Sequence, residues 1–133
     1  MTRGIREKPP SVCRHLTYSL KFRRTGMKMF VTLSAHADGR LAALFVDMAK
    51  EGSTLRASVS QWAIACSKAL QFGMPVRDLV ESFRGVRNQP AGVLACPDAP
   101  RIDGWEATSI WDAIARLVEV ETDEAGRLRD LVA

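Results

Sequence analysis

Long apolar runs are missing from this chain. Nowhere in its 133 residues do the roughly 18 consecutive apolar side chains of a membrane helix occur, so no membrane span is expected. The basic opening, MTRGIREKPPSVCRH, has no apolar segment behind it and does not read as a secretion signal, which makes the cytoplasm the expected compartment. Cysteines number three, Cys13, Cys66 and Cys96, and histidines two, His15 and His36, all isolated. With no CxxC pair and no Cys/His cluster, neither a zinc site nor a disulfide framework is supported, and no metal or other cofactor is expected. Cys66 falls on the apolar side of a helical pattern, where a thiol is a small hydrophobe; a reactive one needs a base or a positive field that its sequence neighbours do not supply. The repeated glycines of a phosphate loop are lacking as well. Aromatic residues make up 7% of the chain, and only Tyr18 and Phe22 fall among the basic positions near the start. A stacking platform for single-stranded nucleic acid would be expected to interleave more of them.

What is present is the make-up of a folded protein, 47% hydrophobic and 26% charged, at a length that suits one domain. The net charge of +4 is unevenly placed: residues 1–28 hold eight cations against Glu7 alone, a net of +7, which leaves −3 for the remainder. Such asymmetry points either to a phosphate-rich partner or to a solvated tail. Arg14, Lys21, Arg23, Arg24 and Lys28 are the candidates for nucleic-acid contact. Residues 1–14 mix proline, glycine and charge without apolar periodicity and read as a flexible basic arm. Residues 15–120 read as the folded domain, and 121–133, ETDEAGRLRDLVA, as a tail able to fray or to dock through Leu128, Leu131 and Val132.

Within the domain the hydrophobic period changes once. Leu16, Tyr18, Leu20 and Phe22 alternate with polar residues, as do Met29, Val31, Leu33 and Ala35, which is the period-two signature of half-buried strands. Thr25-Gly26 supplies the turn between them. Asp38-Gly39 is a strong hairpin signal, expected as a type I′ turn, and a third strand follows from Leu41 to about Met48. From there the period becomes helical. Leu55, Val59, Trp62, Cys66 and Leu70 form an apolar face, with Arg56, Ser60, Gln61, Ser67 and Lys68 mostly on the other side. Ser53 is expected to cap this helix and Gly73 to close it. Pro75 opens a second helix marked by Val76, Leu79, Val80 and Phe83, which Gly85 ends. Residues 88–104 are rich in Pro, Gly and Asp and read as one long loop. Thr108 or Ser109 then caps a third helix, with Asp112 completing a weak capping box. The pattern predicts an α+β fold: a three-stranded antiparallel meander followed by about three helices packed on one sheet face. The other sheet face, carrying Phe30, Ala43 and Phe45, is more apolar than free exposure favours, and a second layer or a partner is expected to cover it.

Candidate contact residues each have a plain structural explanation beside the functional one. Lys50, Glu51 and Gly52 lie where strand meets helix, and N–H groups at a helix start make an anion site; a turn that needs Gly52 for backbone freedom explains the same residues. Arg84, Arg87 and Arg101, with Asn88 and Gln89, flank the long loop. Guanidinium forks suit phosphate or carboxylate, although solvated arginines are commoner. Ser109 and Asp112 are explained by helix capping, and no histidine lies near them in sequence as a base, so no catalytic residue is assigned. Trp62 reads as core, whereas Trp105, beside Gly104 in the loop, reads as a contact surface.

Five segments, Asp38-Gly39-Arg40, residues 45–55 (FVDMAKEGSTL), 69–76 (ALQFGMPV), Pro90-Ala91-Gly92 and 107–112 (ATSIWD), together resemble the TSCPD domain found near the C-terminal end of cobalamin-dependent (class II) ribonucleotide reductases and as small free-standing proteins. They run in the family's order with similar gaps and span roughly Leu16 to Val118. Where the family's name motif has Cys-Pro, this chain has Ile110-Trp111. Where the family commonly has an acidic residue before the proline, this chain has Gln89, so an ion pair with Arg87 cannot form there. In the full-length enzymes the resemblance places the radical chemistry, with its thiyl radical, redox cysteine pair and carboxylate, in a large barrel that precedes this domain. The implied function is therefore a non-catalytic, free-standing protein acting by protein contact, with ribonucleotide reductase or a second copy of itself as partner, and a homo-oligomer is expected. Lys50, Glu51, Gly52, Arg84, Arg87, Gln89 and Trp105 are the candidate anion or partner contacts. The alternative is nucleotide or nucleic-acid binding through the basic arm. An independent enzyme of nucleotide metabolism is a third reading, and it requires turnover of ribonucleotides by the chain alone.

Overall fold

The computed structural model describes residues 5–48 and 52–131. The alternating segments form strands β1 (His15–Phe22), β2 (Lys28–Ala35) and β3 (Leu41–Asp47), followed by helices α1 (Ser53–Gln71) and α2 (Val76–Phe83). Two further strands, β4 (Gly92–Ala95) and β5 (Glu106–Ala107), then precede helix α3 (Ile110–Glu121) and a 3-10 turn at Arg129–Leu131. The sheet is antiparallel with five strands in the order β3-β2-β1-β4-β5, which corrects the expected three. The residues read as one long loop contain β4, which returns to pair Lys21 with Ala95 and Phe22 with Leu94. A four-residue strand inside a Pro- and Gly-rich stretch has too little alternation to register as a period, and its pairing energy comes from a distant partner.

The inward residues of the first three strands, among them Leu20, Phe22, Met29, Val31, Leu33 and Leu44, are fully or almost fully buried. They share one core with Val59, Ala63, Cys66 and Leu70 of α1, Leu79 and Val80 of α2, and Ile110, Ile114, Leu117 and Val118 of α3. Each such side chain contributes about 1.5–3 kcal/mol by leaving water. The helices thus supply the apolar faces that the inner side of the sheet requires.

The turns differ in detail from expectation. At the β2–β3 hairpin only Gly39 takes a positive φ, 91°, so Asp38 is not in the left-handed region and the turn is not type I′. The His36 carbonyl accepts the Gly39 N–H at 2.9 Å, and the His36 N–H donates to the Arg40 carbonyl at 2.8 Å. The Asp38 carboxylate braces this arrangement through the Arg40 N–H and Nε. The start of α1 also differs: Ser53 is its first residue and Gly52 holds the N-cap position, with no side chain to offer. At its other end the expectation holds. Gly73, with φ 106°, donates its N–H to the Leu70 carbonyl, and Met74 donates to Ala69, a pair of bonds that closes the helix as a Schellman motif. Ser109 caps α3 by accepting the Asp112 N–H at 3.0 Å.

Both ends of the described chain touch the domain. Of the segment read as an arm, Glu7 donates its N–H to the Gln71 carbonyl at 2.7 Å and accepts from Arg40, while Arg6 Nε donates to Gln71 Oε1. In the tail, Leu128 is fully buried and its N–H donates to the Gly39 carbonyl. Val132 lies outside the described residues. No helix among the described residues is long and apolar enough to cross a membrane.

Candidate functional site

The end of α2, strand β5 and the start of α3 bring four of the sequence candidates to one side of the molecule. The junction is held by Asp112, which is 2% exposed. Its Oδ1 accepts the Gly85 N–H at 2.7 Å and its Oδ2 the Thr108 N–H at 2.8 Å, so one carboxylate ties the end of α2 to the turn before α3. Thr108 fastens the next segment as well: its hydroxyl donates to the Val86 carbonyl, and its own carbonyl accepts the Asn88 N–H. Arg87 and Gln89 are thereby set beside Glu106 and Thr108, around an open cleft of about 460 Å³ also lined by Asn88, Ala91 and Ala107. The Gln89-Pro90 peptide at its rim is cis. Arg87 forms no ion pair among the described residues, and no hydrogen bond joins it to Gln89.

Arg84 is used differently. Its Nη1 bonds Glu119 Oε1 at 2.5 Å, its Nε lies 3.7 Å from Asp112, and its guanidinium sits 5.6 Å from the centre of the Trp105 ring. Arg116 approaches the same ring at 5.5 Å and shares Glu119. Trp105 is therefore half-buried against the core and attended by two cations, an arrangement in which the ring's electron-rich face attracts each guanidinium. Arg84 is a structural member of this cluster, whereas Arg87 is exposed beside the cleft. Trp62, expected in the core, packs against it and meets Phe83 edge-on at 5.0 Å.

The strand-to-helix candidates do not join this group. Lys50 and Glu51 lie outside the described residues; Gly52 is exposed at the start of α1. The first turn of α1 reaches the same neighbourhood through Leu55, which lines a second cleft of about 360 Å³ with Thr25, Gly26, Met27 and Pro90.

The basic candidates are distributed along the β1–β2 hairpin. Arg14 continues the pairing at one end, its carbonyl accepting the Ala35 N–H. Lys21, Arg23, Arg24 and Lys28 gather at the opposite end, where Lys21 and Lys28 face each other across the strands. Arg23 reaches Asp103 at 3.9 Å.

One polar cluster joins Arg101 of the long loop to residues that the sequence pattern does not single out. Glu121, 2% exposed at the end of α3, bonds Arg101 Nη1 at 2.6 Å, and Arg101 also reaches Asp130 at 3.3 Å. The buried Tyr18 hydroxyl lies near them with no hydrogen-bond partner among the described residues; burial, and after it the charge of Glu121, pushes its pKa well up. The pieces come from three separate parts of the chain, β1, the segment around Arg101 and residues 121–130, and no local spacing announces them.

The thiols are poorly placed for chemistry. Burial pushes the Cys66 thiol up to about 11, and Cys96, fully buried, is raised mainly by the same cause. Among the described residues no group of three His, Cys, Asp or Glu side chains is placed to hold a metal ion.

A model of the TSCPD domain matches residues 5–121. The chain belongs to the TSCPD domain family. The segments that carry the resemblance include both halves of the junction just described, 69–76 leading into α2 and 107–112 opening α3. TSCPD relatives include a protein of Agrobacterium fabrum named vitamin B12-dependent ribonucleotide reductase, 37% identical over 115 residues, which cover 86% of this chain and 9% of that protein. A reductase of the same name from Bradyrhizobium diazoefficiens is likewise 37% identical over 115 residues, with 86% and 9% covered. One from Streptantibioticus cattleyicolor is 32% identical over 119 residues, 90% of this chain and 19% of the relative. This TSCPD chain thus spans a minor part of the reductases it matches. No solved structure matches it.

Proposed function

We propose that this chain is a non-catalytic TSCPD protein that works by protein–protein contact, in the setting of ribonucleotide reductase and deoxyribonucleotide synthesis. The observation that carries the reading is the surface at the α2–β5–α3 junction. A half-buried tryptophan attended by two arginines stands near an open cleft whose own arginine, Arg87, forms no ion pair among the described residues. Tryptophan and arginine are the residue types enriched where interfaces concentrate their energy. The rigid Asp112 bracing makes this surface preformed, which lowers the ordering cost of association. The relatives' names supply the setting, since they are reductases of which this domain is a part. The high pKa of Cys66 and the burial of Cys96 argue against a redox role for these thiols.

A tagged chain, mixed with a vitamin B12-dependent ribonucleotide reductase from the same cells, is expected to retain it on a column. Arg87→Glu should weaken that retention at least about tenfold while leaving the melting temperature unchanged, because Arg87 is exposed. A second copy of the chain is the other partner considered, and sedimentation would reveal it. Retention of no reductase, together with a monomer in sedimentation, would remove the reading.

A further inference from the structure

The outward face of the sheet holds a combination that the junction does not use. We propose that this face binds single-stranded nucleic acid, with bases resting on Phe45 and Phe30 and phosphates on Lys21, Arg24 and Lys28. The strand register fixes the layout. Lys21 on β1 and Lys28 on β2 are directly opposite, both exposed. Like charges in that position repel. Neither they nor Arg24 forms an ion pair among the described residues; Asp103, 3.9 Å from Arg23, and Asp98, at the Ser19 N–H, offset only part of the positive field at this end of the hairpin. The next outward residue of β2 is Phe30, 43% exposed, and diagonal to it on β3 is Phe45, 53% exposed. Diagonal neighbours on one sheet face lie roughly 7–8 Å apart, close enough for successive bases of one strand to rest on the two rings. The sequence shows few aromatics among the basic residues; the fold brings Phe45, seventeen positions beyond Lys28 in the numbering, onto the same face.

Two details shape the site. The Lys28 ammonium lies 4.9 Å from the centre of the Phe30 ring, so a base stacking there takes its place and releases it toward a phosphate. Two carboxylates flank the rings among the described residues, Asp47 opposite Phe30 on β3 and Asp98, whose Oδ2 accepts the Ser19 N–H at 3.1 Å on the β1 side, and they direct the strand's backbone toward the lysine end. A duplex satisfies the cations but keeps its base faces hidden, and a polyacidic peptide satisfies the cations but offers no flat rings. The proposal uses none of the residues assigned to the protein contact above, so either can fail alone.

The test is fluorescence anisotropy of the full chain with a labelled oligothymidylate of 12 nucleotides, set against a duplex of the same length, over a salt series. The single strand is expected to bind at least about tenfold more tightly than the duplex. Its log affinity should fall against log salt with a slope of about −2, as three phosphate contacts on a single strand require. Phe45→Ala should weaken binding at least about fivefold and Phe45→Trp restore it, the size expected for one stacked base. The double change Lys21→Glu, Lys28→Glu should abolish binding. Equal affinity for the duplex, full binding by a normally melting Phe45→Ala protein, or displacement of the oligonucleotide by polyglutamate at matched charge would each overturn the proposal.

Discussion

A buried carboxylate with both oxygens engaged is a demanding thing to replace, and Asp112 is such a residue. Its two acceptors serve the N–H groups of Gly85 and Thr108, neither of which is part of a helical ladder, while its own N–H is taken by Ser109. Asp112→Ala leaves the two donors without their carboxylate acceptor at a partly buried junction. Bonds to charged groups are worth about 1.5–3 kcal/mol each, and the loss should come to about 3 kcal/mol once the chain relaxes. Asp112→Asn keeps the shape and one oxygen, so it should recover about half of that. Urea unfolding of the three proteins checks both figures; equal midpoints would mean that the carboxylate is incidental. Sequence reasoning identifies the Ser109–Asp112 cap from spacing alone, because capping is local. It does not reveal that the same carboxylate reaches back 27 residues to Gly85.

At the scale of elements, the relation between α1 and β3 shows why polar residues on a helix need not face water. β3 is an edge strand, and such an edge presents unpaired N–H and C=O groups. Ser67, on the side of α1 that the periodicity assigns to solvent, is buried; its hydroxyl accepts the Leu44 N–H and shares its one proton between the Leu44 carbonyl and the Ala63 carbonyl of its own helix. One turn further on, Gln71 donates to the Ala42 carbonyl. The helix therefore seals the edge with side chains and leaves it closed to another strand. Ser67→Ala should destabilise the protein by about 1–3 kcal/mol, since two buried backbone groups lose their partner at once. Hydrogen exchange at the Leu44 amide should quicken by more than the global change accounts for; if it tracks global unfolding alone, the latch is not an independent element. Alternation makes β1, β2 and β3 legible, and a 3.6-residue period with glycine stops makes the helices so. The closing of an edge by Ser67 and Gln71, like the pairing of β4 with β1, depends on which segments meet in space. For that reason a hydroxyl that seals a strand looks, in the sequence, like one that faces solvent.

For the molecule as a whole, the three cysteines report on how completely the two layers exclude water. Cys66 is held between α1 and the core, Cys96 lies fully buried just after β4, and Cys13 is half-exposed near the start. A thiol reacts as its thiolate, and burial disfavours the charge. With the Cys66 pKa near 11, about one molecule in a thousand carries that thiolate at pH 8, against roughly a quarter for an unperturbed cysteine. The folded protein treated with iodoacetamide at pH 8 should therefore take one label, at Cys13, and the denatured protein three. The sign with pH follows from the same shift: a thiol raised by burial gives stability that is fully present below the ordinary cysteine pKa and is lost as the pH rises toward the folded value. The native label count should accordingly stay at one through pH 8 and climb only in more alkaline buffer, as ionisation of the unfolded thiols draws the equilibrium toward the open state. Mass spectrometry of intact protein reads that count directly. Rapid labelling of Cys66 or Cys96 at pH 8, with the melting temperature intact, would show that the helical layer opens locally, and it would reopen the case for a working thiol that their burial now argues against.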